Sequence, residues 1–567
     1  MIHAIVMIAA MNRAPSAYEA KLVALAQRMT DDGFRENPTY ATDSGIHLYD
    51  DKLADYSTHA QAASFATLRK FRNVLAALQP PASASVHEKV DYLLLRANIE
   101  SSWWQTTVLR SVQRNPTVYE GECTNGIFSL IKKKFTSDEV RLRDAIARMN
   151  ACSHVLADGK TNLTETVPEF AQIASEDIAY GDALYTSSLD TLAAGATPKT
   201  RTDLKVAQKK VLAALHAFKT WLDTNAKKFH GSFAVGKQQY EWYLRHALLL
   251  PYGSQTIDQI GTSELARDRA LEQWEIARDA HEPKGEPQPA FTSKAAFLKF
   301  YETKTKTLIA FVKSHDLVTI PPYLGAFHIV EVPKALASTY PGGFMNPPGA
   351  FDKDPEGFYF VPDYDPKNIS FFAAQARVAV MPVLGHEGIP GHFLQFSEAY
   401  HNPDLIRHIQ GDEVFAEGWA FYNEELLMRE GLYDRDPASR QAVLHLMRHR
   451  ATRVGVDVGL ATGEMSLPAA IAYFKANAGI DDATAKGEAV RFAMYPGQAI
   501  DYLIGKMQIE TLLGLVADRE GKSFALRRFH DRLLSYGTVP YSTVRWEWLN
   551  DATWIDPALE TMAPQSF

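Results

Sequence analysis

The chain has 567 residues, 46% hydrophobic and 22% charged, the balance of an ordinary globular protein long enough to bury a large core without staples. A formal charge of −8 argues against a nucleic-acid partner, because phosphate binding needs a basic surface. No apolar run reaches the ~18 residues that cross a bilayer, which excludes an integral membrane segment.

Residues 1–35 read as an N-terminal segment, either a helix or the remnant of a signal. The start, MIHAIVMIAAMNRA, is apolar but has no basic residue ahead of it, so it makes a poor secretory leader as it stands. The compartment therefore stays open: cytoplasmic, or periplasmic or secreted if a signal peptide lies upstream. Residues 36–560 read as one helical domain, with room for two lobes around a cleft. Cys123 and Cys152 can pair, but two cysteines in so long a chain make no disulfide framework, and two buried free thiols are the expectation.

Helical periodicity dominates. It runs through YEAKLVALAQRM, through the stretch that Ser137 opens ahead of Asp138 and Glu139, through TDLKVAQKKVLAALHAFKTWLDTNA, and through IDQIGTSELARDRALEQWEIARDA. The Pro- and Gly-rich residues 281–294 predict a surface loop, after which AAFLKFYETKTKTLIAFVKSH is helical again. An irregular zone from Pro321 to Asp365 holds GFYFV, Gly357 to Val361, which predicts a short strand. The fold class is mainly α, a large helical bundle or cleft with a small β element next to the site.

The segment LGHEGIPGHFLQ opens like the zinc-peptidase signature H-E-x-x-H, with His386 and Glu387, but the next histidine is His392. Six residues at about 100° each leave two side chains ~120° off a common helical face. Pro390 lacks the N–H for the carbonyl of His386, and Gly391 permits backbone that other residues resist. A helix broken at Pro-Gly can swing His392 back to share a metal with His386. Imidazoles pointing ~10 Å or more apart would exclude this, since ligands at ~2 Å from one zinc span only ~4 Å.

A hydrolytic zinc site needs a third ligand, and DEVFAEGWAFYNEEL supplies carboxylates at Glu413, Glu417, Glu424 and Glu425. Apolar Val414, Phe415, Trp419, Ala420 and Tyr422 surround Glu417, and a buried carboxylate needs a cation. Glu413, one turn earlier, is the next candidate, and an ion pair from Glu417 to Arg448 or Arg453 is the alternative. A hydrolytic site also needs donors for the developing oxyanion. EAVRFAMYPGQAIDYLIGK offers Tyr495 and Tyr502, with Arg491 as an anchor for a substrate carboxylate. Asp457, in the run RHRATRVGVDVGL, is expected to pair with an arginine of that run or to fix a ligand histidine's tautomer. His445 and His449 are four residues apart without an adjacent glutamate, and HLMRH reads as the polar side of a helix.

HEGIPGH and EGWAFYNEEL resemble the hallmarks of the bacterial family labelled domain of unknown function 885. The resemblance extends from NPTYATDSGIHLYDDKLADYS to FHDRLLSYGTVP, roughly residues 35 to 545. It implies kinship with helical gluzincin-type metallopeptidases, a bound Zn2+ held by His386, His392 and Glu417, and Glu387 as general base. It also implies a strand edge, here GFYFV, that holds an extended substrate, although a strand pairing only within its own sheet is the alternative. The expected activity is hydrolysis of a peptide or small amide. A lyase on a small molecule and a non-catalytic peptide binder are the rival readings.

Overall fold

A computed structural model describes residues 15–281, 291, 293–332, 342–362, 374 and 377–555. Its principal helices in the first half are α1 (Ala17–Glu36), α2 (Val86–Trp104), α3 (Thr117–Ile131), α4 (Asp138–Asn162), α5 (Pro198–Asn225), α6 (Lys237–His246), α7 (Ser254–Asp279) and α8 (Lys294–Ser314). Strands β1 (Phe327–Glu331), β2 (Phe344–Asn346) and β3 (Gly357–Val361) follow. The second half brings α9 (Val380–Glu387), α10 (His392–Tyr400), α11 (Glu413–Arg429), α12 (Pro437–Thr462), α13 (Asp482–Met494), α14 (Asp501–Glu520) and α15 (Tyr541–Leu549). The mainly α expectation holds, and every periodic stretch quoted above lies in a helix. Among the described residues, no helix is long and apolar enough to cross a membrane.

Local chemistry sets the helix starts. Ser137 caps α4 by accepting from the Val140 N–H, and Ser16 opens α1 with a reciprocal capping box to Glu19. Residues 1–14 and the loop residues 282–290 and 292 lie outside the described residues. From Ala17 onward the N-terminal segment is not set apart, because Leu22, Leu25 and Ala26 of α1 pack in the same core as α9, α11 and α14.

Two large apolar cores organise the chain. One gathers α1, α2, α6 to α12, α14 and α15, and the other is built mainly from α3, α4 and α5. The small sheet lies between them, in the order β1-β3-β2, with β1 parallel and β2 antiparallel to β3. Alternation along β3 sends Tyr359 and Val361 into the first core and Phe360 into the second, so the strand is apolar on both faces.

Two expectations are corrected here. Cys123 on α3 and Cys152 on α4 are not free thiols but a disulfide, their Cα atoms 5.5 Å apart because the two helices pack side by side. GFYFV is a strand, yet it is central rather than an edge, since both of its sides are paired. Among the described residues, the edges of the sheet are β1 and β2.

Candidate metal centre

The HEGIPGH segment is two helices joined by a tight loop. Helix α9 ends at Glu387, the Gly388 N–H still bonds the Leu384 carbonyl, and α10 begins afresh at His392. The chain doubles back so closely that a Cβ at Gly391 would stand 1.9 Å from the His386 carbonyl oxygen. Gly391 is thus required for space; its φ of −72° is ordinary. The indole N–H of Trp419 on α11 donates to the Pro390 carbonyl at 2.8 Å and pins the loop from below. The two imidazoles end 4.7 Å apart between ring centres, nearly perpendicular, so the broken helix does bring them together.

Helix α11 carries Glu417 to the same point. Its Oε2 is 3.5 Å from His386 Nε2 and 3.4 Å from His392 Nε2, and the three donor atoms lie within 4.8 Å of one another. This oxygen is buried with no hydrogen bond among the described residues. Donors at ~2.1 Å from a tetrahedral ion sit about 3.4 Å apart, so two nitrogens and one oxygen at this spacing fit zinc. Burial pushes the Glu417 carboxyl up, but the two imidazoles outweigh it and hold the group well below the usual range. Burial likewise lowers His386, but Glu417 and Glu424 outweigh it and lift the imidazole to about 10. The surroundings of both groups favour positive charge at this point.

Glu424 was not singled out in the sequence. Two turns after Glu417 on the same face of α11, its Oε1 stands 2.8 Å from His386 Nδ1 and 3.2 Å from Arg450. A carboxylate on Nδ1 fixes the tautomer that leaves Nε2 free for a metal. That is the role considered for Asp457, which does something else: it accepts from Tyr240 Oη and from the N–H groups of Gly497 and Ala499. Asp457 holds the turn that starts α14, and among the described residues it pairs with neither an arginine nor a ligand histidine. The alternative partners of Glu417 are also engaged elsewhere, Arg448 with Glu272 and Arg453 with Glu488. Glu413 is exposed and outside the cluster. His449 is not on a polar face but fully buried beside Glu488, whereas His445 is half-buried beside Arg448.

Helices α11 and α14 cross where Gly418 meets Gly505; a Cβ on Gly505 would stand 2.1 Å from the Val414 carbonyl oxygen. This contact brings Tyr502 alongside the site, its ring parallel to His386 at 6.2 Å, with Arg453 and Arg450 over its face at 5.1 and 5.3 Å. Burial and the nearby Glu417 raise the phenol, keeping it a hydrogen-bond donor. Arg491 lies 3.4 Å from Glu488 with its side chain 41% exposed, and its charge acts on Tyr502. Tyr495 is not brought in. It is 48% exposed at the end of α13, facing Glu120, Thr117 and Arg491, because Pro496 and Gly497 turn the chain between the two tyrosines.

Glu387, the last residue of α9, is partly buried. Burial raises its carboxyl, and the two histidines offset this only in part. The sheet closes one side of the loop, with Phe327 of β1 beside Gly388 and stacked on Phe393 of α10 at 4.9 Å.

Fold and site together define a mainly helical protein with a buried His-His-Glu centre backed by a second carboxylate. The chain belongs to the family described as bacterial protein of unknown function, DUF885, whose model matches residues 38–547. Among curated proteins none matches. Two solved structures share the fold. One, a presumed lipoprotein of unknown function from Shewanella oneidensis, is 22% identical with a TM-score of 0.73, over 93% of this chain and 99% of that one. The other, a presumed lipoprotein from Colwellia psychrerythraea, is 18% identical with a TM-score of 0.79, over 94% of this chain and 99% of that one.

Proposed function

We propose that the chain is a zinc-dependent hydrolase of peptide or amide bonds, of the gluzincin type. The observation that carries this reading is the convergence of His386 Nε2, His392 Nε2 and Glu417 Oε2 within 4.8 Å, with Glu387 next in sequence to the first ligand. A zinc ion held there supplies Lewis acidity, polarising a carbonyl and acidifying water. Glu387 takes the proton of the attacking water and returns it to the departing nitrogen, a task suited to a carboxylate whose proton affinity is raised by burial. The Tyr502 hydroxyl donates to the oxyanion as it forms. Glu424 keeps the His386 ring in its working tautomer, and Arg450 keeps Glu424 ionised.

The Cys123–Cys152 disulfide supports work outside the cytoplasm, in an oxidising compartment. The description of both structural neighbours as presumed lipoproteins agrees with that.

The test is cleavage of a mixed peptide library, followed by mass spectrometry, with wild type beside Glu387→Gln at equal metal content. Cleavage by wild type and its loss in the variant support the hydrolase. Peptide retained uncut by both proteins would make the chain a binder.

A further inference from the structure

The histidine–carboxylate arrangement recurs in a second group of residues, around the start of α2. His87 lies in the first turn of α2, and Asp91 follows one turn later on the same face. His87 Nε2 stands 3.3 Å from Asp91 Oδ2 and 3.3 Å from Asp404 Oδ2, in the turn after α10, and the three donor atoms lie within 4.8 Å of one another. The other ring nitrogen, Nδ1, is 2.8 Å from Glu547 Oε1 on α15, as His386 Nδ1 is held by Glu424. Asp404 Oδ1 accepts from the Ile406 N–H, which leaves Oδ2 turned into the cluster. That oxygen is buried with no hydrogen bond among the described residues, Arg407 Nε being 3.5 Å away.

Two features separate this cluster from a plain ion-pair network. The first is spacing. A charge-assisted hydrogen bond closes to about 2.7–2.9 Å, as Arg407 and His87 do with Glu547 at 2.8 Å. His87 Nε2 instead stands equally far from two carboxylates, at the ~3.4 Å edge of a tetrahedron with ~2.1 Å bonds. The second is charge. Three buried or half-buried carboxylates, Asp91, Asp404 and Glu547, face the single guanidinium of Arg407. With His87 neutral the cluster carries two excess negative charges; a proton cancels one of them and a divalent ion cancels both.

We propose that His87, Asp91 and Asp404 form a second metal site, for a divalent ion of the zinc–manganese class, that fastens α2, the turn at Asp404 and α15 to one another. One imidazole and two carboxylates suit such ions. The His87 side chain, 35% exposed, leaves a way in for the ion. The site is structural and does not depend on the hydrolase reading.

The test uses the full-length His386→Ala/His392→Ala chain, which lacks the first site. It is loaded with ZnCl2 or MnCl2 at neutral pH, desalted, and assayed for bound metal by elemental analysis. The expected result is one ion per chain, lost on adding Asp404→Asn, which preserves the cap on Ile406, and lost on adding His87→Gln. Circular dichroism identifies any variant that fails to fold, and the remaining one then decides. A chain that holds neither metal, or a folded variant that keeps the ion, would overturn the second site while leaving the first untouched.

Discussion

The Trp419 indole N–H and the Pro390 carbonyl, 2.8 Å apart, join the two motifs that stand out in the sequence. Trp419 follows Glu417 by two residues, so the helix that presents the third ligand also clamps the loop that presents the first two. Together with the His386 carbonyl packed against Gly391, the contact leaves no slack between the histidines. Gly391→Ala therefore drives a methyl into the carbonyl. The expected outcome is a loss of stability of about 1–3 kcal/mol, the usual cost of overpacking, together with loss of the metal. Denaturant unfolding and metal analysis of the variant check both.

The placement of the tyrosines separates them. Tyr502→Phe removes a donor beside His386 and is expected to lower kcat by roughly 10²–10³, the loss seen when one oxyanion donor is removed, with little change in KM. Tyr495→Phe alters a half-exposed side chain just past the end of α13 and is expected to leave both constants within about twofold of wild type. Steady-state kinetics on a peptide cleaved by wild type distinguish the two.

Glu424→Gln keeps the size of the side chain but gives up the carboxylate on His386 Nδ1. A loss of roughly 10–100-fold in zinc affinity is expected, the usual effect of removing such a partner. Competition with a chromogenic chelator reads it. Asp457→Asn, although equally buried, is expected to leave zinc affinity unchanged, because its partners are Tyr240 and the turn before α14.

Reduction of Cys123–Cys152 is expected to lower stability by about 3.6 kcal/mol, from the entropy of opening a loop that spans a sequence separation of 29. Equilibrium unfolding with and without reductant measures it, and a free-thiol assay under denaturing conditions reports the pairing directly.

The four residues of the proposed zinc chemistry were legible because their signals are local. A histidine beside a glutamate, a Pro-Gly break and a carboxylate in an apolar helix are each read within a few residues. Glu424 carried a signal too, seven residues after Glu417 and therefore on its face of the helix, but nothing local tied it to His386. Asp457 misled for the opposite reason. Its arginine neighbours in sequence bond other carboxylates, and its real partners are the Tyr240 hydroxyl and backbone N–H groups forty residues on. The strand GFYFV was legible as a strand, whereas its central position depends on β1 and β2, whose pairing local alternation does not encode. The cysteines likewise meet only because α3 and α4 pack together.

The most direct test of the metal centre is zinc content per chain, by elemental analysis after loading and desalting, for wild type beside His392→Ala. The account predicts one zinc fewer in the variant, with its helical content unchanged. Equal zinc in the two proteins, or none in wild type, would contradict it.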